Sequence, residues 1–444
     1  MVAGDEELHS DRIVDIQEFG FKLLPIAAIY GGNASGKSNL IKALAFARRF
    51  ILRGSQSVEE PIRTDPFRLD DESQNSPSLF EFLLLVPSKT RKGSKKNTNF
   101  ECFNYSFAIS KNGIETEKIT QVLHPFQKPA ILFDRRYGKK TRFSPAMKDS
   151  LLKSFLDTTP DNQLYLSSLI GRKTERFSSD LADKMQRIRQ WFVKLLVIAP
   201  DTEFLPEGHW NLLHNTKTNY NTLLSALDTG ISELDFELTE DLQLPLPIRK
   251  HLENMLSDNG SRVSVKVGGI RVCAFKKDGE IVANKIISNH LSNKTNKKVK
   301  FDLQDDSDGT VRVIDILPSF ITAIQSYPYS VVIIDELDRS LHTLLVRDLL
   351  KYYMRNCKNS SRSQIIFTTH DVLQMNTKLL RNDEMWVVER KKDGASVLIP
   401  LVSYKEIKDD RNLMDSYLRG QLGGIPKILL DGIDLESNED LDNL

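Results

Sequence analysis

Cysteine is scarce in this chain: Cys102, Cys273 and Cys357 are the three present in 444 residues, far apart and with no C-x-x-C pair. That spacing argues against a disulfide framework or a zinc ribbon and implies buried or free thiols in a reducing compartment. Long apolar runs are missing too, since none approaches the ~20 residues of a membrane-spanning helix. The opening MVAGDEELHSDR is acidic and polar, unlike a secretory signal. Neither sign of charge is in excess, with 61 Lys and Arg against 60 Asp and Glu for a net charge of +1. No global field draws the chain to nucleic acid or an anionic membrane, so any such contact must come from a local patch. Also lacking are an internal repeat, a sustained heptad pattern, an H-E-x-x-H pair and a G-x-S-x-G elbow. With 40% hydrophobic and 27% charged residues the composition is that of a soluble globular chain, and the length suits two or three domains. The expectation is a cytoplasmic protein with no membrane partner.

What is present begins with Gly31, Gly32, Asn33, Ala34, Ser35, Gly36, Lys37 and Ser38, which fit G-x-x-x-x-G-K-[ST]. Before this octet runs LLPIAAIY, an apolar stretch suited to a buried strand; after it, Asn39 opens a run with apolar residues at helical spacing. The glycines let successive backbone N–H groups face an anion, and the following helix adds the positive end of its dipole. Lys37 is placed to reach the β- and γ-phosphates, and Ser38 to offer its hydroxyl to Mg²⁺. The expected cofactors are ATP and Mg²⁺.

Organisation follows from pattern. Residues 12–30 predict two strands joined near Phe19-Gly20-Phe21; 78–87, 102–109 and 130–137 read as strands, with a hairpin turn at Lys111-Asn112-Gly113. Between about 143 and 258 the character turns helical, with helices expected over 178–198, 219–229 and 247–257. Strands return over 261–288 around the turn Lys277-Asp278-Gly279. Then a helix near 309–325, a strand at 330–334, a helix near 340–354 and strands at 364–368 and 385–390 alternate as a largely parallel sheet requires. The expected division is an N-terminal lobe, 1–142, a helical insertion, 143–258, a C-terminal lobe, 259–430, and an acidic tail, 431–444, holding six acidic residues and no basic one.

Val331-Val332-Ile333-Ile334-Asp335-Glu336 is an apolar strand ending in two acids. At the carboxyl end of a parallel strand, Asp335 can meet the metal held by Ser38, and Glu336 can polarise a water attacking the γ-phosphate. Gln364-Ile365-Ile366-Phe367-Thr368-Thr369 is a further buried strand, followed by His370, whose imidazole can hydrogen-bond a γ-phosphate and sense its loss. Ser307-Asp308-Gly309 opens an apolar helix, an arrangement that serves phosphate binding or plain helix capping.

A P-loop, a Ser-x-Gly, a strand ending Asp-Glu and a strand ending in His, in this order, resemble the ABC-type ATPases of the SMC-like and OLD-like soluble group. The phrases SDGTVRVIDILP, IIDELDRSLH, TTHD and YLRGQLGGIPK are similar to the RloA/AbiLi-like bacterial ATPases of defence loci, to which the AriA ATPase of PARIS systems looks related. The resemblance covers 12–50 and 300–427 well and 90–260 poorly. It implies an α/β fold: an ABC-type P-loop ATPase domain, a mixed sheet with a parallel core, carrying a mainly helical insertion. It implies a homodimer or larger ring in which ATP lies between Gly31–Ser38 of one copy and Ser307 and Gly309 of the other. Lys37, Glu336 and His370 are then the catalytic set, Ser38 and Asp335 the metal ligands, and Ser340-Leu341-His342 a D-loop facing the partner. Two departures stand out: the signature begins at Asp306, where transporter-type domains have Leu, and no glutamine takes the Q-loop place cleanly, Gln74 lying near it.

The reading is a soluble ABC-type ATPase acting as sensor or regulator of a separate effector, nuclease or toxin, in anti-phage defence. OLD-type enzymes carry a nuclease after the ATPase, and the 74 residues that follow His370 are too few for one, so the effector is expected in trans. The alternative is an SMC-like DNA-binding or repair ATPase, which the missing heptads disfavour. A transporter subunit and a P-loop kinase fit less well. Basic clusters at Lys89, Arg91, Lys92, Lys95 and Lys96, and at Lys294, Lys297, Lys298 and Lys300, leave nucleic-acid contact open, though without interleaved aromatics.

Overall fold

The computed structural model describes residues 1–55, 61–88, 100–124, 126–145, 149–169, 180–200, 202, 204–206, 217–238, 244–256, 262–325, 329–357, 361–404 and 413–425. Among these residues the centre is a mixed sheet in which β3 (Ile26–Tyr30), β9 (Leu195–Ile198), β16 (Val331–Ile334), β17 (Gln364–Thr368) and β18 (Met385–Arg390) run parallel, and β19 (Ser396–Pro400) closes one edge antiparallel to β18. The order is β19-β18-β3-β17-β16-β9. Every residue of β3 and β16 is buried, as expected of parallel strands covered on both faces. Alternation divides β16 between two cores. Val332 and Ile334 join the helices α8 (Asp308–Gln325) and α9 (Thr343–Asn356) on one face, while Val331 and Ile333 join α1 (Lys37–Arg53) and α5 (Asp180–Lys194) on the other. Each such side chain contributes roughly 1.5–3 kcal/mol by leaving water.

Beyond α1 and α5 lies an antiparallel sheet in chain order, β4 (Ser78–Pro87), β5 (Phe100–Ser110), β6 (Gly113–Val122), β7 (Ala130–Arg136) and β8 (Arg142–Phe143). Buried Glu117 on β6 ties it to the rest. Its carboxylate accepts from the Tyr105 hydroxyl (3.0 Å) and from the Tyr165 N–H (2.8 Å) at the head of α4 (Tyr165–Ser168). From α4, the Ser167 hydroxyl donates to the carbonyls of Phe50 and Ile51 at the end of α1. A hairpin of β1 (Val14–Ile16) and β2 (Phe21–Leu23) covers the outer end of this sheet near Cys102. A third sheet holds β10 (Phe204–Pro206), β11 (Ile231–Leu238), β12 (Arg262–Val267), β13 (Ile270–Lys277), β14 (Glu280–Leu291) and β15 (Lys298–Asp302). It packs on α6 (Lys217–Ala226) and α7 (Leu246–Met255), and the remaining helices are α2 (Asp71–Asn75), α3 (Ser150–Asp157) and α10 (Leu413–Leu418).

The helices of 143–258 are present, yet the segment is woven into both lobes. The helix expected over 178–198 stops at Lys194, because Leu195-Leu196-Val197-Ile198 pairs with Val331–Ile334 as β9. Four apolar residues in a row satisfy helical and strand patterns equally, and the open edge of β16 decides. Residues 231–238 alternate and become β11, beside β14. The strands at 298–302 and 396–400 also escaped the sequence reading. Cys102, Cys273 and Cys357 are free, and burial pushes the Cys102 and Cys273 thiols up to about 12, far from reactive. Among the described residues no helix is long and apolar enough to cross a membrane. The cluster Lys89–Lys96 and the acidic tail 431–444 lie outside the described residues.

Residues 4–12 strap this body across 377–384. The Gly4 N–H donates to Asp383, Glu6 accepts from Asn382, and Arg12 pairs with Glu384 at 3.0 Å. Arg381, fully buried, pairs with Asp383 at 2.7 Å. Burial pushes the Glu384 carboxyl up to about 7 against the pull of Arg12. Its value in the folded chain thus exceeds its ordinary value, so the stabilisation from retaining this proton is full below the unfolded pKa and is lost as pH rises through about 7. Thermal melts from about pH 5 to about pH 8 should fall more steeply in the native chain than in Glu384→Gln. Parallel pH profiles for the two proteins would refute the assignment.

Candidate functional site

From Tyr30 the chain turns through Gly31–Gly36 into α1. Gly36 has a φ of 104°, and a Cβ there would collide with the Ser396 hydroxyl, so both conformation and space demand glycine. The loop is fastened from behind: the Ser396 hydroxyl donates to the Ser35 carbonyl (2.6 Å), and the Gly32 N–H donates to the Gly424 carbonyl. The same carbonyl accepts from the Tyr417 hydroxyl at 3.1 Å. Lys37 is buried and donates to the carbonyls of Gly31 and Gly32 at 2.7 and 3.0 Å, which lays its ammonium across its own loop. Burial pulls its pKa down, while Asp335, Asp338 and Glu336 pull it up.

The order β3-β17-β16 sets the P-loop, His370 and the Asp335–Glu336 pair at the carboxyl ends of three adjacent parallel strands. Thr368 joins the last two. Its hydroxyl donates to the Asp335 carboxylate (2.5 Å) and accepts from the Glu336 N–H (2.8 Å). Asp335 is buried, and Glu336, at a φ of 49°, leaves the strand half-exposed. His370 is exposed, its N–H held by the Asp338 carboxylate at 3.2 Å. Asp371 accepts from Thr343 and from Gln374, which fixes the turn after β17 to the start of α9.

A cavity of about 990 Å³ gathers the P-loop, Glu336 and His370, while Asp335, buried beside Thr368, is not among the residues that line it. Gly32 to Asn39 form one end, with Glu336 and His370 on its rim. The other end is lined by Phe46, Phe67, Phe80, Arg49, Arg63 and Arg390. Phe46 stacks on Phe80, and Phe80 on Phe107, so part of this wall is the open end of an aromatic core. The sequence reading missed this half. Lys42, Phe46 and Arg49 could have been found from their spacing, since with Asn39 they share one face of α1. Gln74 lies away from it, donating to the Arg68 carbonyl at 3.0 Å and bracing the loop 63–69.

Ser307 and Gly309 do not line this cavity. Ser307 is exposed and accepts from the Thr310 N–H at 3.1 Å, the geometry of a helix cap. Asp306, in the place of the Leu of transporter-type domains, is turned away: it accepts from Ser288 (2.6 Å) and pairs with His290 (2.9 Å), anchoring the turn to β14. Of the Ser340-Leu341-His342 segment, Ser340 has a φ of 59° and His342 caps α9 by accepting from the Leu344 N–H. In the second basic cluster Lys298 and Lys300 are engaged by Glu233 and Glu237 at 3.0 and 3.2 Å, while Lys294 and Lys297 sit in an exposed turn.

Among solved structures the chain is similar to the SmcHead bound to the C-winged helix domain of ScpA, at 13% identity and a TM-score of 0.34, over 88% of this chain and 97% of that one. It is also similar to the SMC head domain from Thermotoga maritima, at 14% identity and a TM-score of 0.27, over 87% and 97%. No curated protein matches the chain. The family described as AAA domain, putative AbiEii toxin, Type IV TA system matches residues 26–376, from the first strand of the site to beyond His370. That match spans well over half of the sequence and takes in the P-loop, Asp335–Glu336 and His370, and the chain belongs to this family of AAA-domain proteins.

Proposed function

We propose that this chain is an ABC-type ATPase that binds ATP with Mg²⁺ at the cavity and hydrolyses it. The observation that carries the reading is the convergence of three loops from adjacent parallel strands on one space, which Gly32–Ser38, Glu336 and His370 line, with Asp335 buried beside Glu336. The N–H groups of Gly31 to Asn39 and the head of α1 receive the phosphates. Lys37, now on its own carbonyls, swings to them. The donor set fits a magnesium ion, since the Ser38 hydroxyl and Asp335 carboxylate are hard oxygen ligands; when bound, the ion neutralises charge developing on the β- and γ-phosphates. Glu336 takes the proton of the attacking water, and His370 hydrogen-bonds the γ-phosphate. Phe46, Phe67 and Phe80 offer the nucleoside a surface to stack on, beside Arg49, Arg63 and Arg390.

In this reading two copies close head to tail, and Ser307 and Gly309 of one complete the cavity of the other. The exposure of Ser307, and the place of both residues outside the cavity of their own chain, support it. Opening and closing of the pair regulates a separate effector in phage defence. Support comes from the RloA/AbiLi-like phrases and from the family description, which names a putative AbiEii toxin. The engaged lysines of β15 favour this over the SMC-like DNA-binding alternative.

Lys37→Ala should abolish ATP binding in a fluorescent-nucleotide titration, and unchanged affinity would remove the P-loop assignment. Glu336→Gln should lower kcat by roughly 10²–10⁴-fold, retain ATP and hold the closed dimer in size-exclusion chromatography; native turnover would show that Glu336 is not the base. Ser307→Arg should bind ATP normally yet fail to hydrolyse it, and full turnover in that variant would sink the composite site.

A further inference from the structure

One side chain that the catalytic reading leaves without a role links the Ser307–Gly309 end of α8 to the Asp335–Glu336 backbone. Arg312 lies on α8, just past the Ser307 cap, and is buried. One nitrogen of its guanidinium donates to two carbonyls, those of Asp335 at 2.9 Å and Glu336 at 3.0 Å. These peptide units are where the chain leaves β16, and Glu336 there holds a φ of 49°. A non-glycine residue keeps that conformation only when its surroundings fix it, at a cost of about 1–3 kcal/mol. The surroundings are plain. Arg312 grips the backbone carbonyls on one side, and Thr368 holds the Glu336 N–H on the other. Burial draws the Arg312 pKa down, opposed by Asp315, Glu336 and Asp335. An arginine remains a cation under that pressure, which suits it to a dry anchoring point.

The same end of the helix is pinned about one turn earlier. Gly309 packs so closely on the Ser340 carbonyl that a Cβ would lie 2.6 Å from it. Asp306 is held by Ser288 and His290. Movement of the Ser307–Gly309 turn therefore reaches Arg312 through less than two turns of continuous helix, and through it the backbone of Glu336.

We propose that Arg312 is a positioning residue that transmits the seating of the Ser307–Gly309 turn to the aim of the Glu336 carboxylate in the same chain. The proposal rests on the reading of Glu336 as the base and adds what regulates it: a nucleotide bound by one copy, on reaching the Ser307–Gly309 turn of the other, sets that second copy's own Glu336.

The test is a double-variant comparison in the full chain, with kcat and ATP affinity measured separately. Arg312→Gln should lose roughly 10- to 100-fold in kcat with ATP affinity unchanged, as misaimed catalytic groups do. Arg312→Lys, which keeps the charge without the planar fork, should recover part of the loss. Added to Glu336→Gln, Arg312→Gln should lower the residual turnover no further. Gly309→Ala should lower kcat in the native background and much less in Arg312→Gln. A native kcat in Arg312→Gln, or a full additive loss on top of Glu336→Gln, would overturn the proposal, and Arg312→Lys carries the same comparison should Arg312→Gln fail to fold. Native turnover in Glu336→Gln would instead remove the reading of the base.

Discussion

The seating of β17 between β3 and β16, with Ile365 opposite Ile26 on one edge and Val332 on the other, governs what the chain can do. Parallel strands end on the same side of a sheet, so this register delivers three loops to one place without any of them specifying the others. The Thr368 hydroxyl then converts adjacency into geometry, tying the Asp335 carboxylate to the Glu336 backbone across the β16–β17 gap. A one-residue slip would turn Phe367 from the α8–α9 core towards α1 and break that bond, and the buried apolar residues on both faces forbid it.

The sequence made this centre legible for a physical reason. Phosphate loops need glycine, acids at strand ends are conspicuous after apolar runs, and buried parallel strands are uninterrupted in Val and Ile. Legibility failed where the deciding neighbour lies far along the chain. Leu195–Ile198 carries no local mark that separates a helix end from a strand, and only β16, more than a hundred residues later, settles it. The arginine and phenylalanine wall of the cavity was hidden likewise, because α1 and the loop 63–69 come together only over a folded sheet. Asp306 looked like a departure from a motif and is an anchor, a role visible only once Ser288 and His290 are beside it.

The outer layers have a common task. Glu117, Ser167 and Arg135 clip the second sheet to the end of α1, while Ser396 and Gly424 brace the loop at its beginning. α1, the helix that follows the glycine loop, is therefore held at both ends by groups from remote parts of the chain. Buried carboxylates in such clips are stabilising only while their partners stay in place, and they resist partial loosening because a half-broken pair leaves a charge without water.

That arrangement bears on biosynthesis. β3 leaves the ribosome more than three hundred residues before its two neighbours, β17 and β18, which come from Gln364 onwards. At usual translation rates the phosphate loop waits on the order of tens of seconds before its sheet can close. Contacts this distant in sequence also form slowly once the chain is free. During that interval both edges of β3 stand without their strand partners, and the burial of α1 against the antiparallel sheet is the packing available to it first.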